Sequence, residues 1–258
     1  MKIAIIGAGN MGGAIARGMC KGTIIAPEDV VLSNRSVAKL DAIKSQHPAI
    51  GITCNNREAA RDARMIILAV KPWLIKEVID EIQPTREQVV VSVAAGIDFE
   101  SLDAMLPQRG NTIFRLIPNT AISLQESLTL ISSYNATPEQ NQLMLDIFNE
   151  MGVAMLIPEN RMSAATSMTS SGIAYALKYI QAAMQAGVEL GIYPHDAMKM
   201  VAQSMKGAAE LILQNDTHPS VEIDKVCTPG GYTIKGINTL ESHGFTTAVI
   251  EAIKSSCS

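Results

Sequence analysis

The sequence lacks any uninterrupted apolar stretch long enough to span a bilayer, which takes about 20 consecutive apolar residues. Its longest uncharged run, Met162 to Leu177, is diluted by Ser and Thr. Excess positive charge is also missing: a net charge of −4 over 258 residues offers no footprint for nucleic acid. Paired cysteine spacing is absent. Cys20, Cys54, Cys227 and Cys257 stand far apart and near no cluster of histidines, which excludes a disulfide frame or a zinc site and suits the reduced thiols of a cytoplasmic protein. His47, His195, His218 and His243 are scattered in or beside loops, so none is taken as catalytic or as a metal ligand. A secretory leader is excluded too. Gly7, Gly9 and Asn10 break the apolar run behind Lys2, and Arg17 and Lys21 follow, against the pattern of a signal segment. What remains has 47% apolar residues and is long enough for one large or two ordinary domains.

What is present begins at the N-terminus. Lys2 to Ile6 is a short apolar strand, followed at once by Gly7-Ala8-Gly9-Asn10-Met11-Gly12 and then by helical spacing through Ala14, Ile15 and Met19. Strand, glycine turn and helix in this order make a dinucleotide-binding unit. Gly7 serves the turn, Gly9 the approach of the pyrophosphate and Gly12 the close packing of the helix. The nucleotide is decided at the end of the second strand, where an NAD site expects an acid for the ribose 2′-hydroxyl. After Val30-Val31-Leu32 the chain reads Ser33-Asn34-Arg35-Ser36, and the nearest acid, Asp29, sits at the wrong end of the strand. A hydroxyl, an amide and a guanidinium suit a 2′-phosphate, with Arg35 giving charge-assisted bonds. NADPH is therefore the expected cofactor, with some tolerance of NADH.

Strand patterns recur at Met65–Ala69, Val89–Val93, Thr112–Ile117, Ser127–Ser132 and Val153–Ile157, with helical patterns between most of them. This predicts an α/β fold with a doubly wound, mainly parallel sheet over residues 1–158. In such sheets the ligand lies beyond the carboxyl ends of the strands. The ends Ala69-Val70-Lys71-Pro72 and Val93-Ala94-Ala95-Gly96 are candidates for cofactor contacts, the small side chains of the second leaving room for a flat ring. Lys71 and Asn119 are open to two readings, a contact to ribose or nicotinamide amide and a plain strand end. Asn56 is open likewise, between facing the adenosine and capping a helix.

From about residue 159 to 258 the strand patterns stop. Ile173–Leu190 has polar residues only at Lys178, Gln181, Gln185 and Glu189, and the helix opened by Pro194 repeats this with Lys199, Gln203, Lys206, Glu210 and Gln214. One narrow polar stripe leaves most of each helix apolar and in need of neighbours on several sides. About 100 residues of helix can hardly supply them, so an all-α dimerisation domain sharing its apolar faces with a second copy is expected. Met198, Met200 and Met205 read as core filler.

Within this region Thr228-Pro229-Gly230-Gly231-Tyr232-Thr233 is a glycine-rich turn that opens a helix. Such a turn leaves backbone N–H groups for an anion, and Thr233 adds a directional hydroxyl. A small carboxylate with a second polar atom would fit, although an ordinary helix cap has the same form.

Taken together these residues resemble the pyrroline-5-carboxylate reductases, over essentially the whole chain. The specific stretches are the Gly7–Gly12 turn, Leu68-Ala69-Val70-Lys71-Pro72, Ser92-Val93-Ala94-Ala95-Gly96, and Thr228 to Glu241 with Gly244-Phe245 behind it. The resemblance implies an NADPH-binding Rossmann domain and a helical domain interleaved with a partner's in a homodimer, with dimers often assembled into rings. It also implies a small cyclic imino acid as substrate, held by Ser171, Thr228, Gly230, Gly231, Tyr232 and Thr233. Where the family usually has Ser-Gly-Ser-Gly-Pro-Ala-Tyr, this chain has Thr169-Ser170-Ser171-Gly172-Ile173-Ala174-Tyr175. A glycine and a proline are lost there, while Ser171 and Tyr175 remain. Thr233, beside the ring nitrogen, is the expected catalytic residue.

Overall fold

A computed structural model describes residues 1–257. By internal packing the chain divides into two compact units, Met1–Ser170 and Ser171–Cys257.

The first unit is built on eight strands: β1 (Ile3–Ile6), β2 (Val30–Ser33), β3 (Gly51–Thr53), β4 (Met65–Leu68), β5 (Val89–Ser92), β6 (Ile113–Ile117), β7 (Ser127–Tyr134) and β8 (Gly152–Leu156). Their order across the sheet is β3-β2-β1-β4-β5-β6-β7-β8. Every neighbouring pair is parallel except β6 and β7, which run antiparallel with Ile113 opposite Tyr134 and Ile117 opposite Leu130. Seven of the strands lie where sequence periodicity puts them. β3 is the exception: at three residues, none fully buried, it is too short to show a period of two.

Helices α1 (Asn10–Met19), α2 (Val37–Lys44), α3 (Asn56–Arg61), α4 (Ile75–Ile82), α5 (Phe99–Met105), α6 (Pro138–Asn149) and α7 (Met162–Thr169) belong to the same unit. Alternation along each strand sorts them onto two faces, because successive side chains point to opposite sides. Ile3 and Ile5 of β1 pack with Ala14 and Ile15 of α1, Leu40 and Ile43 of α2, and Ile147 and Phe148 of α6. Ala4 and Ile6 pack with Ala59 and Ala60 of α3, Val78 and Ile79 of α4, and Leu102 of α5. A smaller cluster joins Ile117 and Leu130 to Met162 of α7. Each fully buried Ile or Leu is worth about 1.5–3 kcal/mol against exposure, and the two faces hold thirteen and nine buried Ile and Leu residues. The strand order reverses direction between β1 and β4, so a crevice opens beyond their carboxyl ends.

The second unit is all helix: α8 (Gly172–Glu189), α9 (Pro194–Asn215), α10 (Pro219–Val226), α11 (Tyr232–Ser242) and α12 (Phe245–Ser255). Sequence spacing anticipates α8, α9 and α11 but not α10. That short helix starts with Pro219 at its first position and with the Nδ1 of His218 accepting from the Ser220 N–H. Pro219 presets the backbone angle of a first helical residue, and His218 is an unusual cap. Tyr175 Oη donates to the Ala252 carbonyl at 3.1 Å and so ties α8 to α12. Between α7 and α8 both Ser170 and Ser171 keep right-handed helical angles.

Candidate active site

The crevice at the switch point is a groove of about 760 Å³. Its floor is the glycine turn. Gly7 has φ +110°, and a Cβ there would come 2.5 Å from the Ala69 carbonyl oxygen, so the turn requires glycine. At Gly12 a Cβ would meet the Gly7 carbonyl at 1.9 Å, which is the price of seating α1 against β1. Gly9 differs, because nothing lies within 4 Å of its missing Cβ. The open side of Gly9, an α1 N-terminus with no side-chain cap and no acid in its first turn suit an approaching pyrophosphate.

Most residues that the sequence nominates for the cofactor line this one groove: Gly7, Gly9, Asn10, Met11, Asn34, Arg35, Asn56, Ala69, Val70, Lys71, Pro72, Val93, Ala94 and Ala95. Three do not. Gly12 is a packing glycine. Ala8 is reached by Asn34, whose Oδ1 accepts from the Ala8 N–H at 3.2 Å and so ties the turn to the loop after β2. Ser33 is fully buried, and its hydroxyl donates to Asn56 Oδ1 at 2.6 Å. The cap of α3 is Asn55, whose Oδ1 accepts from the Glu58 N–H. Asn56 is therefore free of that duty and faces the groove. Asn119 takes the opposite course: it is buried, its Oδ1 accepts from Ala121 N–H, and it caps a turn.

Sequence reasoning missed Lys39, Cys54, Glu77 and Glu81, which also line the groove. Lys39 had a signal, since it stands four residues after Arg35 on the helix that follows. Glu77 and Glu81 had none, because only folding brings α4 beside the end of β2. Arg35, Lys39 and Lys71 form no ion pair among the described residues, which leaves their charge for a ligand. An NADP-type dinucleotide thus fits this groove on three counts: an open glycine, a bare helix start and unpaired cations where an NAD site has an acid.

On the β5 side the wall of the groove is braced from behind. Arg115 of β6 reaches Glu159 Oε1 at 2.6 Å, the Phe99 N–H donates to the same oxygen at 2.8 Å, and the guanidinium lies 5.8 Å from the Phe99 ring centre. That fixes the start of α5, and with it the Ala94-Ala95-Gly96 loop before it.

The second predicted cluster lies in the helical unit. Gly230 has φ +71°, the Gly231 N–H donates to the Thr228 carbonyl at 2.9 Å, and a Cβ on Gly231 would strike Thr228 Oγ1 at 2.5 Å. The Gly231 N–H thus closes the turn. No side chain caps α11, so its first N–H groups stay available. Tyr232 is 92% exposed, and its ring lies 5.8 Å from Lys235 Nζ. Thr233 is exposed. Ser171 is half-buried at the head of α8.

No helix among the described residues is long and apolar enough to cross a membrane. A doubly wound sheet with a glycine turn at its switch point and an NADP-compatible groove defines a dinucleotide-binding oxidoreductase. Residues 2–96 match the family described as NADP oxidoreductase, coenzyme F420-dependent, and residues 159–258 match that described as pyrroline-5-carboxylate reductase dimerisation. Pyrroline-5-carboxylate reductase 2 of Dictyostelium discoideum is 36% identical over 97% of this chain and 89% of its own length. The pyrroline-5-carboxylate reductase of Methanosarcina acetivorans is 34% identical over 98% of this chain and 94% of its own. Among solved structures, the Plasmodium falciparum pyrroline carboxylate reductase with NADP bound superimposes with a TM-score of 0.89 at 28% identity, covering 100% of this chain and 95% of that one. The chain belongs to the pyrroline-5-carboxylate reductase family.

Proposed function

We propose that the protein is an NADPH-dependent reductase of L-1-pyrroline-5-carboxylate, giving L-proline in the last step of proline biosynthesis. The observation that carries this reading is similarity along the whole chain to reductases of that name, joined to a groove with unpaired cations where an NAD site has an acid. Residues 1–158 are the cofactor domain in this reading, and residues 159–258 the substrate and dimerisation domain.

Bound NADPH supplies a hydride to the imine carbon; the protein supplies everything else. Gly9 and the start of α1 hold the pyrophosphate, Arg35 and Asn34 the 2′-phosphate side, and Ala94 and Ala95 give space for the nicotinamide ring. In the helical unit the N–H groups at the head of α11 hold the substrate carboxylate, with Ser171 and Thr228 lending hydroxyls. Thr233 hydrogen-bonds the ring nitrogen as it gains or keeps its proton. A cyclic imine nitrogen is already basic, so no strong acid or metal is needed, and orientation contributes most. Such alignment is worth up to about 7–11 kcal/mol in favourable systems.

The assembly proposed is a homodimer with interleaved helices from α8 onward, able to build a ring of dimers. A cytoplasmic location belongs to the same reading and is supported by Cys20, Cys54 and Cys227, which are thiols. The test is NADPH oxidation at 340 nm with pyrroline-5-carboxylate, beside its six-membered ring homologue and a 3-hydroxyacid assayed in reverse with NADP⁺. Rapid turnover of the five-membered imine alone is the expected result. Turnover of another substrate in its place would overturn the assignment.

A further inference from the structure

At the groove that Arg35 and Lys39 line, three side chains form a chain of hydrogen bonds that fixes which way an amide faces. Ser33 Oγ donates to Asn56 Oδ1 at 2.6 Å, and Asn56 Nδ2 donates to Glu81 Oε2 at 2.7 Å. Glu81 is itself held in place, since Arg57 Nε donates to its backbone carbonyl at 3.0 Å and joins α3 to α4. Asn56 and Glu81 both line the groove.

The two ends of this chain are not equivalent. A serine hydroxyl donates or accepts, so Ser33 tolerates either orientation of the Asn56 amide. A carboxylate only accepts, so Glu81 tolerates one. Were the amide turned over, its oxygen would confront the Glu81 carboxylate across the same short distance, acceptor against acceptor. In the orientation observed, Nδ2 spends one hydrogen on Glu81 and keeps its second.

We infer that Glu81 is a positioning residue for coenzyme choice: it locks Asn56 with its amide N–H, not its carbonyl, presented to the 2′-phosphate. The inference rests on the NADPH reading above and deepens it. A 2′-phosphate is mainly the dianion at neutral pH, an acceptor without a donor, so an Asn56 carbonyl facing it would repel, whereas the N–H adds a charge-assisted bond to those of Arg35 and Lys39. A ribose 2′-hydroxyl both donates and accepts and is indifferent to the amide's direction. The lock therefore acts on the phosphate alone.

Simple electrostatics points the other way, which makes the inference sharp. A carboxylate near a dianion repels it, so by charge alone Glu81→Gln would tighten the binding of a 2′-phosphorylated ligand. By the orientation argument it weakens that binding, because glutamine lets the amide turn. Calorimetric titration of the intact protein with 2′,5′-ADP and with 5′-AMP separates the two. We expect Glu81→Gln to weaken 2′,5′-ADP about tenfold, the scale of one hydrogen bond to a charged group, with AMP changed far less. In an Asn56→Ala background the same substitution should bring no further loss, since the group it orients is gone. Unchanged or tighter 2′,5′-ADP binding in Glu81→Gln overturns the inference. So does an equal loss for both ligands, a persisting tenfold loss beside Asn56→Ala, or a wild-type protein with no preference for 2′,5′-ADP. These titrations need no turnover. A protein that gave the expected pattern yet left pyrroline-5-carboxylate untouched would lose the proposed substrate and keep the lock.

Discussion

The two units differ most in what they bury. The sheet unit encloses its apolar residues on both faces, from Ile3 and Ile5 to Leu102 and Phe148. In the helical unit Ala197 is the one apolar residue among the described residues that reaches full burial. Leu177, Leu190, Met200, Leu211, Leu213 and Val226 stay open, Leu213 at 75% exposure. Exposed apolar surface on this scale marks an interaction face. The sheet folds around a core of its own, whereas the helices are one half of a core. That agrees with membership of a family whose C-terminal part is described as a dimerisation region.

Placing charge on the helices should break this comparison most severely. The double substitution Leu177→Asp with Leu213→Asp should turn an oligomer into monomers in sedimentation and cut turnover more than a hundredfold. The NADPH groove, which belongs to the sheet unit, should keep its affinity. An oligomer that survives both charges would show that the open helix faces are not the shared core.

Next in size is the chemistry of the helical unit. Thr233→Ala should lower kcat/KM with pyrroline-5-carboxylate about 10²-fold, the scale of one polar contact to a transition state, and leave NADPH affinity unchanged in a fluorescence titration. Wild-type turnover would remove Thr233 from the mechanism. In the sheet unit the matching test is Arg35→Asp, which should move the ratio of kcat/KM for NADPH over NADH by about tenfold or more toward NADH. An unchanged ratio would detach Arg35 from the 2′-phosphate.

The smallest effect concerns how the sheet unit is closed. Glu150 follows α6 and accepts from the Thr23 N–H at 2.6 Å, from Thr23 Oγ1 and from the Ile24 N–H. Desolvation raises its pKa, but those bonds outweigh it and the net shift is downward. A folded pKa below the unfolded one stabilises above the ordinary glutamate value of about 4.3, and the gain is lost as pH falls through the folded value. Glu150→Gln should therefore lower Tm slightly at pH 7, with the gap to wild type closing toward pH 3. A gap that stays constant with pH would mean the loss is one of packing.

How much of this was legible beforehand depended on the range of the interactions. The glycine turn was readable to the residue, because the positive φ of Gly7 and the contact of Gly12 with the Gly7 carbonyl both lie within one strand–turn–helix unit. So was the missing acid after β2, which is a matter of one strand end. Asn56 could not be settled from sequence: two asparagines stand in a row, and only the structure makes Asn55 the cap and turns Asn56 to the groove. α10 escaped because its eight residues are too few for a clear period, and β3 because three residues carry no alternation.

By itself, then, the sequence determined the class of fold and pointed to the cofactor through local rules: periods of 2 and 3.6, glycines where a Cβ cannot fit, and the charge after a strand; the family came from the resemblance that its motifs carry. The narrow polar stripes of α8 and α9 likewise announced that a partner was needed, since an apolar circumference must be covered by something. Tertiary structure alone decided which side chains meet across distance. Glu81 stands 25 residues beyond Asn56 and 48 beyond Ser33 along the chain, and no periodicity joins them. Their hydrogen bonds exist because the crossovers of a right-twisted sheet set α3 and α4 side by side at the edge of the groove. Short-range sterics write the elements into the sequence; the direction of a single amide is written only by the packing of those elements.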